Sequence, residues 1–219
     1  METTVRARVY RLIVLALVAF FFLYNFHPDA WTNQVGWSWR FLTNWGQALS
    51  LVVAALMVGR SFGLTRRWPD TLVSVTVVVN LMVVVLYWQL YFDDPALVNV
   101  DGEPPVWWRE YYLHLMGPIL QWIDAFLIFG CFRRPIRVFG GMAGFIVLYS
   151  LWLELILRPF SSTPIGTVTN GLPYPFLNDM ILSDRIWFYG ENLIQGWAAV
   201  LLCGLIALAL RRFAGLGRE

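Results

Sequence analysis

A chain of 219 residues that is 58% hydrophobic and only 14% charged, with a mean hydropathy of +0.60, is too apolar for a soluble domain, which carries about a quarter charged residues. Its formal charge of +2 is too small to attract nucleic acid, so no nucleic-acid partner is expected. The length fits a single domain over residues 1–219, and the apolar residues come in blocks, which makes the bilayer the first expected partner.

A helix needs roughly 20 mainly apolar residues to cross a bilayer. Six segments qualify: Val9–Phe26, Phe41–Phe62, Thr71–Phe92, Tyr112–Phe132, Ile136–Leu157 and Arg185–Leu210. Arg6, Arg8 and Arg11 before the first apolar run resemble the start of a signal peptide. The NFHPDAW stretch after it lacks a small-residue cleavage pattern, so an uncleaved helix is expected. The connection TRRWPD leads into the third helix, where Pro69 suits a first turn that has no use for its missing N–H. Loop 3–4 is acidic, with Asp93, Asp94, Asp101, Glu103 and Glu110, and FRRPIR joins the fourth and fifth helices. Loop 5–6, Pro159–Asp184, contains LPYPFLND and is a candidate lid. Trp31, Trp37, Trp39, Trp107 and Trp108 suit an aromatic belt at the outer interface. Cys131 and Cys203 read as small packing residues rather than a disulfide.

All sixteen basic residues are arginines. Twelve of them (Arg6, Arg8, Arg11, Arg60, Arg66, Arg67, Arg133, Arg134, Arg137, Arg211, Arg212 and Arg218) fall on one side of a six-pass topology. Arg40, Arg109, Arg158 and Arg185 fall on the other. The positive-inside rule then puts both termini in the cytoplasm. The expected fold class is all-α, a polytopic membrane bundle of six transmembrane helices.

Polar side chains inside a membrane are costly, so each is a functional candidate. Thr43, Asn44 and Gln47 open the second helix; His114, Gln121 and Asp124 belong to the fourth; Glu154 is near the outer end of the fifth; Glu191, Asn192 and Gln195 lie in the outer third of the sixth. Thr43, Gln47 and Ser50 recur at i, i+4, i+7; His114, Pro118 and Gln121 do the same with Asp124 beside them; Glu191 and Gln195 are at i, i+4. Residues so spaced share a helix face. Three polar stripes cannot all face lipid cheaply, so a polar pocket in the outer half of the membrane is expected. Pro118 offers no N–H to the His114 carbonyl, which loosens that turn. The structural alternatives are ordinary: Thr43 bonding its own helix, His114 at the interface, and Gln47, Gln121 and Gln195 as interhelical glue. Asp124, Glu154 and Glu191 are harder to dismiss; they would be protonated or paired with each other, His114, Arg40, Arg158 or Arg185. Soluble-enzyme motifs are absent, and His27 and His114 with scattered carboxylates make no ligand signature, so neither metal nor cofactor is expected.

RFLTNWGQ, YWQLYFDDPALV, YYLHLMGPILQWIDAF, YSLWLE and LPYPFLND together resemble the androgen-induced protein and androgen-dependent TFPI-regulating protein family of six-pass membrane threonine hydrolases. The resemblance covers most of the chain. It implies a threonine nucleophile at Thr43, a histidine partner at His114, and cleavage of lipid esters such as fatty acid esters of hydroxy fatty acids. His114 would deprotonate Thr43, and water would resolve the acyl-enzyme. Asp124 lies about 15 Å of helical rise from His114, so Glu191 or Glu154 is the better candidate to orient the imidazole. Asn44, Gln47 or the unpaired N–H groups opening the second helix are candidate oxyanion donors. A proton-coupled carrier using the buried carboxylates and a non-catalytic lipid-binding protein are the competing classes. Oligomeric state is not legible in the sequence.

Overall fold

The computed structural model describes residues 4–25, 35–65, 69–98, 106–161 and 171–215. Six helices among them are long and apolar enough to span a membrane: α1 Val5–Asn25, α2 Leu42–Ser61, α3 Asp70–Asp93, α4 Trp107–Phe129, α5 Pro135–Phe160 and α6 Leu182–Phe213. No strand occurs among the described residues. The chain is therefore an all-helical, multi-pass membrane protein. His27, Trp31, Arg66, Arg67, Asp101, Glu103 and Arg218 lie outside the described residues.

The helix starts differ from the sequence reading. α1 begins at Val5 rather than Val9, α4 at Trp107 rather than Tyr112, and α6 at Leu182 rather than Arg185. In each case the helix continues past charged residues that end an apolar run. Helical hydrogen bonding satisfies the backbone there whether the side chains meet lipid or headgroups. For α4 the extension makes Glu110 helical rather than part of an acidic loop.

α1 buries Ala7, Arg11, Val14, Val18, Phe21 and Asn25, a single stripe at spacings of three and four along its whole length. That stripe packs on α2 and α4, with Val14 and Val18 against Ala54, and Phe21 stacked on Tyr112. α3 is different: every residue from Val73 to Asn80 is buried. A helix apolar on all sides belongs in the centre of a bundle, and α3 touches α2, α4, α5 and α6. Valines there would disfavour a helix in water, but hydrocarbon offers their backbone no other partner.

One end of the bundle is tied by backbone capping. α4 stops at Gly130, whose φ of 78° is a left-handed conformation that closes the helix. The next segment hangs on α3. Ser74 Oγ accepts the Phe132 N–H at 2.8 Å, and the Asp70 carboxylate accepts those of Arg133 and Arg134 at 3.0 and 2.9 Å. Arg211 donates to the Cys131 carbonyl. Cys131 and Cys203 are buried in the core, and burial pushes the Cys131 thiol up, away from the reactive thiolate.

The opposite end carries Trp37, Trp107, Trp108 and Trp187 on its surface, while Trp39 turns inward and its carbonyl accepts the indole N–H groups of Trp45 and Trp152. Here residues 171–181, with a one-turn helix at Pro175–Asp179, fold over the bundle. Leu172 and Leu177 are fully buried, and the Asn178 side chain brackets the Leu172 backbone at 2.8 and 3.1 Å. Arg40 donates to the Gly171 carbonyl at 2.9 Å. Burial depresses the Arg40 guanidinium and raises the Tyr174 phenol from their ordinary ranges.

Candidate active site

Thr43 stands in the first turn of α2, and the chain before it fixes its position. A left-handed Gly36 (φ 78°) leads into a tight 3₁₀ turn at Trp37–Arg40, and Phe41 N–H closes on the Ser38 carbonyl at 3.1 Å. Asn44 locks turn and helix together, because its amide donates to the Ser38 carbonyl at 2.7 Å. The Asn25 amide, at the end of the α1 stripe, donates to Asn44 Oδ1 at 3.1 Å and to Gln47 Oε1 at 2.8 Å. Both candidate oxyanion side chains are thus engaged in holding α1 to α2, although Gln47 Nε2 has no partner among the described residues. As the second residue of α2, Thr43 also has an amide with no carbonyl one turn behind it in the helix.

His114 sits on α4 within a π-helical turn, Tyr112–Met116, directly before Pro118. Such turns shift the hydrogen-bond register and are common at functional sites. The carbonyl that Pro118 cannot serve is met from α3: Trp88 Nε1–H donates to it at 2.9 Å. Tyr87, the neighbouring residue on α3, stacks flat on the imidazole with 3.4 Å between ring centroids and 4° between planes. The ring is therefore held from its face and from its backbone.

The imidazole edges define the chemistry. Nδ1 is 3.1 Å from the Glu110 carbonyl oxygen and 3.2 Å from the Glu110 carboxylate. A carbonyl can only accept, so Nδ1 carries the proton and donates. Nε2 is then left with its lone pair, and it lies 3.1 Å from Thr43 Oγ. Thr43 O–H donating to His114 Nε2, with His114 Nδ1–H donating to Glu110, is the hydrogen-bond order of a nucleophile, base and orienting carboxylate. Glu110 is held in turn. The Arg109 guanidinium donates to its carboxylate at 3.0 Å and to Asn25 Oδ1 at 3.0 Å.

Thr43, His114, Glu110 and Arg109 line a cavity of about 510 Å³. This lies within the range of about 300–1,000 Å³ found for small-molecule sites. Its deep wall is apolar, formed by Val79, Met82 and Val83 of α3 and Met142, Phe145 and Ile146 of α5. Tyr174, Phe176 and Leu177 of the folded-over segment roof it.

The other expected site residues do not form one cluster with this pair. Gln121 donates to the Ser50 carbonyl at 3.3 Å, beside the Ser50–Asn80 hydrogen bond, deeper in the bundle. Asp124 is further still, in a bidentate contact with Arg11 Nε at 2.9 and 3.0 Å, with Arg11 also donating to Ser61 Oγ at 2.9 Å. Arg11 therefore belongs to a buried ion pair as well as to the terminal charge bias. Glu154 binds Arg185 at 2.6 Å and accepts from Tyr189 at 2.8 Å. Glu191 is exposed and accepts from Trp187 at 2.9 Å. Gln195 lines the cavity from α6 but stands at its exposed rim. The carboxylate beside His114 is thus Glu110, not Asp124, Glu154 or Glu191. The signal was present as E-x-x-x-H, whose spacing brings both side chains to one helix face once α4 starts before Glu110. No group of three or more metal-ligating side chains occurs among the described residues.

The family described as FAR-17a/AIG1-like protein matches residues 7–207. The chain belongs to that family. The match runs from α1 into α6 and includes every residue of the cavity wall named above. No curated protein and no solved structure matches the chain.

Proposed function

We propose that the protein is an intramembrane hydrolase that cleaves esters of amphiphilic lipids through Thr43. The observation that carries this reading is the ordered contact Thr43 Oγ–His114 Nε2–Glu110 at the wall of a cavity with an apolar floor. His114 Nε2 takes the Thr43 proton as Oγ attacks the ester carbonyl carbon. Collapse of the tetrahedral intermediate breaks the C–O bond to the alcohol, which leaves with the proton from His114. The acyl group is then on Thr43. A water gives a proton to His114, attacks the acyl carbon and releases the acid, and Thr43 Oγ recovers its proton. Glu110 stays ionised and holds the Nδ1–H tautomer. The Thr43 amide, at the positive end of α2, is the proposed donor to the developing oxyanion.

The apolar floor suits an acyl chain, and the polar mouth near Arg109 suits water and the ester's more polar part. Fatty acid esters of hydroxy fatty acids are one such substrate. The arginine bias orients the cavity toward the outer leaflet, with both termini in the cytoplasm. The test is hydrolysis of long-chain esters by purified protein in proteoliposomes. Turnover lost in both Thr43→Ala and His114→Ala variants that still fold supports the reading. Turnover that survives Thr43→Ala, or lipid that co-purifies with wild type and is never cleaved, overturns it.

A further inference from the structure

The cavity has a second boundary that the catalytic reading does not use. At its rim it is formed by α3 and α6, which deeper in the bundle share a core, Cys203 and Ala207 of α6 with Val73, Val75, Val77, Val78 and Val79 of α3. Toward the cavity end, the same two helices present amides. Gln89 of α3 and Asn192 and Gln195 of α6 all line the cavity, and Gln89 and Gln195 are exposed. On α6, Phe188, Asn192 and Gln195 form one stripe at i, i+4, i+7, so the amides follow the cavity edge.

These amides are incompletely used by the protein. Asn192 donates to the Phe188 carbonyl at 2.8 Å, which leaves its own carbonyl oxygen open, and the Gln89 and Gln195 side chains have no hydrogen-bond partner among the described residues. An amide without a partner is costly at the edge of hydrocarbon. Interhelical glue would pair them with each other across the two helices.

We infer that the cavity rim formed by α3 and α6 is a lateral portal. Through it a long-chain ester passes from the bilayer into the cavity, with Gln89, Asn192 and Gln195 serving the polar ester group as it leaves the headgroup region. This rests on the hydrolase reading, and it makes the substrate a bilayer-resident lipid rather than a soluble ester. The amides are positioning residues. They do not touch the Thr43–His114–Glu110 chain.

The test compares two esters in proteoliposomes of phosphatidylcholine: umbelliferyl oleate in the bilayer and para-nitrophenyl acetate in water. In the Gln89→Leu/Asn192→Leu variant, the ratio of oleate to acetate kcat/KM is expected to fall about tenfold, the effect of losing one or two hydrogen bonds along the path. An unchanged ratio overturns the portal, whether both rates fall or neither does. Hydrolysis of neither ester by wild type would instead count against the catalytic reading. A turnover-independent measurement then still judges the portal. A photoreactive oleate ester in the bilayer, irradiated with the Thr43→Ala variant, is expected to label peptides containing Gln89 and Asn192. Labelling confined to other helices overturns the inference.

Discussion

The two ends of the α1 stripe carry similar chemistry and opposite surroundings. At one end Arg11, 2% exposed, grips Asp124 and Ser61. Beside Asp124 there is room for only about 10 Å³, no more than a single water would take. At the other end Asn25, 1% exposed, ties Asn44, Gln47 and Arg109 together behind Glu110, His114 and Thr43. Those last three face a cavity of about 510 Å³. Both ends contain an arginine–carboxylate pair inside a membrane helix. What separates a fastening from a candidate reaction centre is the adjoining space and a nucleophile with an acceptor nitrogen beside it. An intramembrane charge alone does not mark function.

Substitutions at the two ends should therefore fail in different ways. The largest effect is expected from Thr43→Ala, which should lower ester turnover about ten-thousandfold while leaving the thermal transition near that of wild type. Glu110→Gln comes next, because the Glu110 carbonyl still holds the Nδ1–H tautomer but a neutral amide no longer stabilises the imidazolium formed as His114 takes the Thr43 proton. A fall of about a thousandfold in kcat, with KM little changed, is expected in the same assay. Arg11→Met should act on stability instead. Removing the guanidinium from the buried Asp124 carboxylate should cost about 3 kcal/mol, read as a lowered unfolding midpoint in detergent. Activity per folded molecule should be retained. The pair Arg11→Met/Asp124→Leu should recover most of that loss, since no charge is then buried alone. A loss of turnover in the doubly substituted protein at normal stability would erase the distinction between the two ends. The smallest effect is expected from Trp88→Phe, which orphans the His114 carbonyl at a cost of about 1 kcal/mol in thermal stability.

The bundle was legible because hydrocarbon imposes a coarse rule on length and apolarity, and arginine placement follows topology. Thr43 and His114 were legible as polar residues at one depth and as matches to a family pattern. Glu110 was not, because apolar patterning ends α4 at Tyr112 and leaves Glu110 among loop acids. Helical backbone bonding carries α4 on to Trp107 and turns the E-x-x-x-H spacing into a contact. The Arg11–Asp124 pair was hidden differently. Its members are 113 residues apart, and Arg11 already had an explanation as a topological charge. Trp88 and Tyr87, within a stretch that carried the family resemblance, reveal their purpose only when α3 is laid against α4. One serves the carbonyl freed by Pro118, and the other covers the imidazole face.

The central claim, that Thr43 is an activated nucleophile, is tested most directly by treating the purified protein with a fluorophosphonate and locating the adduct by peptide mass spectrometry. The expected result is a single phosphonylated peptide modified at Thr43, present in wild type and absent from folded Thr43→Ala and His114→Ala variants. No adduct at Thr43, or an adduct that persists in His114→Ala at the wild-type rate, would contradict the account.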